Sequence, residues 1–191
     1  MALTARTEAK NDSSMTPFGL IDGTHWIESL RDGTRVLIRP LRAEDREREE
    51  AFIQRLSSQA LRYRFLGSFK QVSPTLLDQL MHVDFRHQAA FVALVHDNGT
   101  LREVGISRYC STDDDEHCEC AVTVADDWTQ RGLGTVLMRH LIELARRNGY
   151  KQMFSLDAPG NEAMRDLASH LGFHRRQDPL DSTQVIHTLD L

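Results

Sequence analysis

The alternation of apolar and polar residues in the first half of the chain predicts a hairpin followed by helices. Residues 26–41 form two strand-like runs on either side of Asp32-Gly33, a dipeptide typical of tight hairpin turns. Residues 43–56 place acids early and apolar side chains late, which suits the dipole of a helix. Two further short helices are predicted at residues 57–67 and 73–83.

From residue 89 onward the hydrophobic period indicates strands, interrupted by two helices. Leucines recur at helical spacing through the longer of these helices, and Gly149 stands where its C-terminal cap belongs. The first three strands are predicted to form an antiparallel meander, and the order of all elements predicts a mixed α/β fold in one domain. The predicted strands are residues 89–100, 103–110, 118–125, 151–158 and 183–191, and the predicted helices are residues 133–148 and 161–173.

The composition fits one globular, soluble domain with a flexible N-terminal arm. The chain has 191 residues, of which 40% are hydrophobic and 27% are charged. We expect residues 1–25 to be the arm and residues 26–191 to be the domain. No apolar run approaches the roughly 20 residues that span a membrane, and the N-terminus lacks the apolar core of a secretory signal, which predicts a cytoplasmic protein. The net charge of −5, without a basic tract, argues against nucleic acid as a partner.

The three cysteines, Cys110, Cys118 and Cys120, leave two interpretations open. An odd number argues against a disulfide framework. Together with His117 they could bind a metal, but residues 118 and 120 alternate along a predicted strand, which favours small buried thiols. We therefore expect no metal site.

A glycine-containing loop before the longer helix indicates an anion-binding site. The first N–H groups of a helix lack partners within it, and Gly132 and Gly134 allow a ligand to approach the backbone closely. These groups suit a phosphate or pyrophosphate, and Arg131 could add charge-assisted hydrogen bonds. The alternative is a plain turn in which the glycines serve geometry alone. Two familiar phosphate motifs fit poorly, because Leu137 replaces a third glycine and no lysine separates Gly134 from Thr135.

The same loop and helix carry a resemblance to a known family. Residues 129–150 resemble motif A of the GNAT superfamily of acyl-CoA N-acyltransferases, with Gly132 and Gly134 as the motif's glycines. Thr129 departs from the motif at its first position, and residues 161–173 resemble motif B of the same family. The chain is therefore identified as a member of this superfamily, which implies a mostly antiparallel, splayed central sheet flanked by helices. A narrower resemblance, to the GNAT domain of bacterial Pat-type protein lysine acetyltransferases, rests on residues 36–47, 56–70 and 118–135.

The resemblance implies acetyl-CoA as the cosubstrate. Its pyrophosphate would lie on the backbone of residues 131–135, and its pantetheine arm would pair with residues 122–124, where the sheet splays. Asn161 would lie near the pantetheine or the sulfur. The implied cofactor-binding residues are Val122, Thr123, Val124, Gln130, Arg131, Gly132, Leu133, Gly134, Thr135 and Asn161.

Glu119 is the candidate catalytic residue. The resemblance aligns it with the carboxylate that Pat-type enzymes use as general base. A free lysine amine has a pKa near 10.4, so only about a thousandth of it is neutral at pH 7 and able to attack a thioester. A carboxylate can remove the proton directly or through a water. The alternative is that Glu119 is a solvent-facing strand residue.

The general acid and the acceptor are defined less sharply. Many GNAT enzymes protonate the leaving thiolate with a tyrosine at the position that Ala168 occupies here, and we interpret the nearby His170 as a surface residue. The narrower resemblance favours a protein lysine as acceptor, with a small amine such as a polyamine, amino acid or aminoglycoside as the alternative. A non-catalytic acyl-CoA-binding sensor is a third hypothesis. We expect residues 56–84 to set specificity, and the acidic residues 113–116 to form a solvated turn or to recruit a cationic substrate.

Overall fold

The computed structural model describes residues 24–66 and 72–191, and within them eight strands form one sheet. The predicted arm at residues 1–25 lies outside the described residues except for its last two, and so does the predicted end of the second helix at residue 67. The strands are β1 (Trp26–Ser29), β2 (Arg35–Pro40), β3 (Gln88–Asp97), β4 (Thr100–Ser111), β5 (His117–Val124), β6 (Gln152–Asp157), β7 (His174–Gln177) and β8 (Val185–Asp190). The α-helices are α1 (Arg46–Arg55), α2 (Ser58–Phe65), α3 (Pro74–Met81), α4 (Leu133–Arg147) and α5 (Glu162–His170).

The N-terminal hairpin forms as the sequence predicts. The Asp32 carboxylate accepts a hydrogen bond from the Thr34 amide at 2.9 Å, and Gly33 takes the left-handed conformation with φ 81°. β1 and β2 pair antiparallel, with Trp26 opposite Ile38. The sheet continues from this hairpin in the order β1-β2-β3-β4-β5-β6-β8-β7.

The sheet separates two hydrophobic cores, because neighbouring side chains of a strand point to opposite faces. Along β3, Phe91 packs with α4 and α5 on one face, whereas Val92 and Leu94 pack with α1 and α3 on the other. The leucine stripe of α4 is buried, with Leu137 and Leu141 both 0% exposed. This is the mixed α/β architecture that the sequence predicts. No helix in the described part of the chain is long and apolar enough to cross a bilayer.

The centre of the sheet opens between β5 and β6. β3, β4 and β5 form the predicted antiparallel meander. β5 and β6 run parallel and pair over three residues that end with Glu119 opposite Phe154, beyond which the strands separate. Glu119 is therefore the last residue of β5 that pairs with β6 before the predicted splay.

Two features of the sheet differ from the prediction. β7 was not predicted, because all four of its side chains are exposed and no apolar alternation marks it as a strand. It pairs with β8, with Arg176 opposite Ile186. β4 begins at Thr100 and not at residue 103, because its first residues pair with β3 through the backbone while their side chains stay largely exposed.

Candidate active site

The start of α4 explains both glycines of the loop that precedes it. Gly132 is the N-cap and has φ 88°, a left-handed conformation that glycine adopts without strain. A Cβ atom on Gly134 would lie 3.3 Å from the Leu167 side chain and 3.8 Å from that of Val124. The Val136 amide donates to the Gly132 carbonyl at 3.2 Å, so the amides of residues 133–135 precede the helical ladder. This helix end therefore offers backbone donors to an anion.

The Arg131 guanidinium, in contrast, is already engaged by the protein. It lies 3.3 Å from the Asp32 carboxylate, donates to the Asp127 carbonyl at 3.0 Å and stacks over the Trp128 ring at 4.7 Å. Asp32 belongs to the β1–β2 turn, so this ion pair connects the hairpin to the loop that precedes α4. The predicted phosphate contact of this side chain would require it to leave Asp32. Gln130, with φ 62°, is exposed and does not line the cavity between β5 and β6.

A mostly apolar cavity fills the gap between the diverging strands, and we call it the inter-strand cleft. Leu133 lies in the core beneath it, 1% exposed, and Thr135 is half-buried on the first turn of α4. The Thr123 hydroxyl is buried without a hydrogen-bond partner among the described residues. The cleft thus brings together five of the predicted cofactor-binding residues. They are Val122, Thr123, Val124, Gly134 and Asn161.

The N-terminus of α5 forms one end of the cleft. The Asn161 side-chain oxygen accepts a hydrogen bond from the Met164 amide at 3.2 Å and so caps the helix. The Tyr63 hydroxyl donates to the Gly160 carbonyl at 3.1 Å, which ties α2 to this end. Ala168 is 1% exposed in the core and does not line the cleft, and His170 is exposed, as interpreted from the sequence.

A polar cluster at the base of the cleft was missed in the sequence. The Ser155 hydroxyl donates to Asp157 at 2.7 Å, and the His187 ring nitrogen Nδ1 lies 3.1 Å from the same carboxylate oxygen. Ser155 and Asp157 line the cleft, whereas His187 is 2% exposed behind them. Ser155 and Asp157 stand two apart on β6, a polar alternation in a buried strand that could have indicated a site.

Glu119 stands where the inter-strand cleft meets a second cavity, which we call the polar cavity. Arg64 also lines both spaces. Burial raises the pKa of Glu119, the Arg64 charge opposes this rise and the Asp157 charge adds to it. Because Glu119 lines both cavities, its carboxylate can be reached from either one. The polar cavity is lined by Arg64, His82, Gln88, Arg108, Cys110 and Glu119, among others.

Behind Arg108 lies a buried pair of acids on α1 and β4. The Arg108 guanidinium is 3.7 Å from Glu49 and donates to the Leu80 carbonyl at 3.0 Å. Glu103 is 1% exposed, and neither of its carboxylate oxygens has a hydrogen-bond partner in the described part of the chain. Burial and the nearby Glu49 charge raise the pKa of Glu103 well above its usual range. This raised pKa favours the protonated form of Glu103.

The acidic run at residues 113–116 forms the turn between β4 and β5. The Asp114 carboxylate accepts hydrogen bonds from the amides of Glu116 and His117, at 2.8 and 3.0 Å. These bonds and that from the Thr112 hydroxyl lower the pKa of Asp114. Of the two interpretations of this acidic run, the geometry agrees with a solvated turn.

The cysteines are distributed as buried and exposed thiols. Cys118 and Cys120 are buried on β5, as the strand alternation predicts, and Cys110 is exposed in the polar cavity. Among residues 24–66 and 72–191, no group of three or more metal-ligating side chains is close enough to hold a metal ion.

The fold and the site together define an acyl-CoA-dependent acyltransferase. The profile of the Acetyltransferase (GNAT) family matches residues 53–173, and the chain belongs to this family. It is an acetyltransferase of a family that uses acetyl-CoA as acetyl donor.

Known relatives agree with this assignment. Acetyltransferase PA5475 of Pseudomonas aeruginosa is 58% identical over 185 residues, which cover 97% of this chain and 100% of that protein. The GNAT domain of S. lividans PAT has a TM-score of 0.79 at 23% identity, covering 87% of this chain and 97% of that one. The structure of yncA from Salmonella typhimurium with its cofactor acetyl-CoA has a TM-score of 0.64 at 21% identity, covering 82% and 94%. At these identities the two structural likenesses show the fold alone.

Proposed function

We propose that this acetyltransferase moves the acetyl group of acetyl-CoA to a primary amine by direct attack, with Glu119 as the general base. The observation that carries the proposal is that the Glu119 side chain lines both the inter-strand cleft and the polar cavity. A thioester held in the cleft and an amine held in the polar cavity would meet at this carboxylate.

The residues around the cleft fit acetyl-CoA. The amides of residues 133–135 suit its pyrophosphate. Residues 122–124 pair with β4 along one edge and leave the other edge unpaired with β6, which suits the amide groups of the pantetheine arm. Asn161 lies at the end of the cleft where the thioester would be reached. Arg131 would contribute through its backbone, since its side chain is held by Asp32.

Glu119 would act on an amine that arrives protonated. The carboxylate takes one proton from the ammonium, and the freed lone pair attacks the acetyl carbon to form a tetrahedral intermediate. The carbon–sulfur bond then breaks to release the CoA thiolate, and the nitrogen loses its second proton to solvent, which leaves a neutral amide. Glu119 is exposed on its strand, as the alternative interpretation held, but partial desolvation raises its pKa and makes it a stronger base than a fully solvated glutamate. Ala168 cannot supply an acid, and the thiolate is stable enough to leave without one.

We propose a protein lysine as the leading acceptor, with a small amine as the alternative. The support is the resemblance to Pat-type enzymes and the fold shared with the S. lividans PAT domain. Residues 56–84 contribute Arg64, His82 and Val83 to the polar cavity, which supports their predicted role in choosing the acceptor. We also propose that the protein acts in the cytoplasm, because its three cysteines are unpaired thiols.

Calorimetric titration of acetyl-CoA into wild type, Gly134→Glu and Gly134→Ala tests the cofactor site. We expect micromolar binding to wild type and at least about a 100-fold loss in Gly134→Glu, because the new carboxylate is buried beside the pyrophosphate. Gly134→Ala is the matched control, since it adds the same Cβ atom beside Leu167 without charge, and should lose much less. Failure of folded wild type to bind acetyl-CoA would contradict the proposal.

A further inference from the structure

The positive charge of the polar cavity disfavours an acceptor whose only charged groups are amino groups. Two guanidiniums, those of Arg64 on α2 and Arg108 on β4, line it. Glu119 is the one carboxylate among the described residues of its lining. An ammonium that approaches Glu119 therefore also approaches two cations.

The two arginines differ in how well the protein satisfies them. Arg108 has Glu49 and the Leu80 carbonyl as partners. Arg64 has no hydrogen bond or ion pair to the described residues, and its guanidinium lies 5.1 Å from the Phe65 ring centre. Burial and the nearby Arg108 charge lower the pKa of Arg64 to about 10, which leaves it a cation at neutral pH. A half-buried cation without a hydrogen-bonded acid is only partly compensated and favours the binding of an anion.

We propose that the polar cavity binds amines that carry a carboxylate a few atoms from the amino group, with Arg64 as the partner of the carboxylate. The proposal rests on the proposed function, in which Glu119 receives the amino group. Arg64 and Glu119 both face the cavity, so they present opposite charges to the two ends of such an acceptor. Polyamines and aminoglycosides, which bring further cations next to Arg64, fit this arrangement poorly.

Two sources could provide this chemistry, and matched acceptors distinguish them. L-lysine and L-lysinamide differ by a free carboxylate, and the dipeptides N-acetyl-Asp-Lys-amide and N-acetyl-Asn-Lys-amide differ by an acidic neighbour of the lysine. Initial rates of CoA release give kcat/KM for each acceptor. A preference for lysine would indicate a free amino acid, and a preference for the Asp dipeptide would indicate a lysine beside an acidic residue in a protein.

We expect kcat/KM for the carboxylate member of one pair to exceed that of its amide by about 10- to 100-fold, as a hydrogen-bonded charge pair provides. In Arg64→Gln this ratio should fall several-fold, and because Arg64 also lines the inter-strand cleft, acetyl-CoA affinity is measured separately by calorimetry. Arg62→Gln, an exposed position on the same helix, is the matched control and should keep the wild-type ratio.

The outcomes separate the two proposals. Equal kcat/KM within both pairs on wild type, or a ratio that Arg64→Gln leaves unchanged, overturns the carboxylate proposal and leaves the acetyl transfer standing. Transfer to none of the four amines by folded protein that binds acetyl-CoA overturns the carboxylate proposal, and failure to acetylate a polyamine or an aminoglycoside as well overturns the acetyl transfer. The change of the ratio from wild type to Arg64→Gln is the readout, because the difference in basicity between the paired amines is the same for both proteins and cancels.

Discussion

The inter-strand cleft and the polar cavity share Glu119, but they are built from different parts of the chain. One wall of the cleft is a single stretch of chain, residues 119–124, and the anion site that we propose for it consists of amides at the start of α4. The polar cavity is walled by side chains from separate elements, among them Arg64 of α2, His82 after α3 and Arg108 of β4. The cleft is suited to binding a ligand through main-chain groups, and the polar cavity is suited to binding one through side chains.

This difference predicts how each space responds to mutation. Backbone donors persist when most side chains change, so the cleft can keep one cofactor in many variants. A side-chain cavity changes its ligand with a single substitution, because a buried polar group left unpaired rejects the wrong acceptor. We therefore expect substitutions in the polar cavity to alter acceptor kinetics while acetyl-CoA affinity stays unchanged. Mutations in each space test whether acceptor kinetics and acetyl-CoA affinity change independently.

The largest effect is expected at Glu119, where the two spaces meet. Glu119→Gln keeps the size of the side chain but removes its ability to accept a proton, so kcat should fall by about 10²- to 10⁴-fold at pH 7. The acetyl-CoA dissociation constant should stay close to that of wild type, because the cofactor contacts lie elsewhere in the cleft. Steady-state rates of CoA release and calorimetric titration measure the two quantities.

The pH dependence distinguishes a base from a structural residue. As the pH approaches the amine's own pKa, near 10.4 for a lysine, the acceptor loses its proton without help, so the deficit of Glu119→Gln should narrow. Glu116→Gln, an exposed acid in the turn that precedes β5, is the control and should match wild type. A deficit that is constant from pH 7 to about pH 10 would show that Glu119 is not the base.

A smaller effect is expected from the buried acid behind the polar cavity. The raised pKa of Glu103 means that the folded protein holds a proton which the unfolded chain releases above its ordinary pKa. Stability is therefore lost as the pH rises from that value towards the folded pKa, by up to about 1.4 kcal/mol per pH unit. Glu103→Gln removes this loss, and its amide can donate to Glu49, whose Oε2 atom has no partner among the described residues.

Urea unfolding at pH 5, 6 and 7 measures this effect. The free energy of unfolding of Glu103→Gln should gain on that of wild type by about 1–3 kcal/mol between pH 5 and pH 7. Glu47→Gln, an exposed change on the same helix as Glu49, should follow the wild-type curve. Parallel curves for wild type and Glu103→Gln would mean that the pKa of Glu103 is not raised in the folded protein.

The cleft could be predicted from the sequence because its determinants are local. Gly132 takes a left-handed conformation and Asn161 caps its own helix, so both are determined within their own segments and are visible in short motifs. Gly134 belongs to the same motif, although it makes room for Leu167 of another helix. The hairpin, the meander and the leucine stripe of α4 are local in the same way. β7 was missed because it is a strand by pairing alone, without a buried side chain.

The rest of the site depends on contacts between distant segments. Arg64 and Arg108 look in the sequence like ordinary surface cations, and they share a cavity only because α2 lies against the sheet. The sequence indicated that the Arg131 side chain could hydrogen-bond a phosphate, but it could not show that this side chain lies 3.3 Å from Asp32 of the hairpin. Ser155 and Asp157 likewise meet His187 only through the pairing of β6 with β8. A short sequence motif does not reveal contacts between residues that are distant in sequence.

The smallest expected effect uses Cys110 as a chemical probe of the boundary between the two spaces. Cys110 is exposed in the polar cavity, whereas Cys118 and Cys120 are buried. Burial and the nearby Glu119 charge raise the pKa of Cys110, so maleimide labelling should be slow at pH 7 and faster near pH 9. We expect one adduct per chain, measured by intact mass.

The adduct should affect the acceptor and spare the cofactor. Filling part of the polar cavity should raise the acceptor KM about fivefold, the equivalent of the ~1 kcal/mol that overfilling a packed site costs. Acetyl-CoA affinity should stay within about twofold, because Cys110 does not line the cleft. Cys110→Ser, treated identically, controls for modification elsewhere. If the adduct weakens acetyl-CoA as much as the acceptor, the two spaces are one pocket, and the acceptor must enter along the cleft.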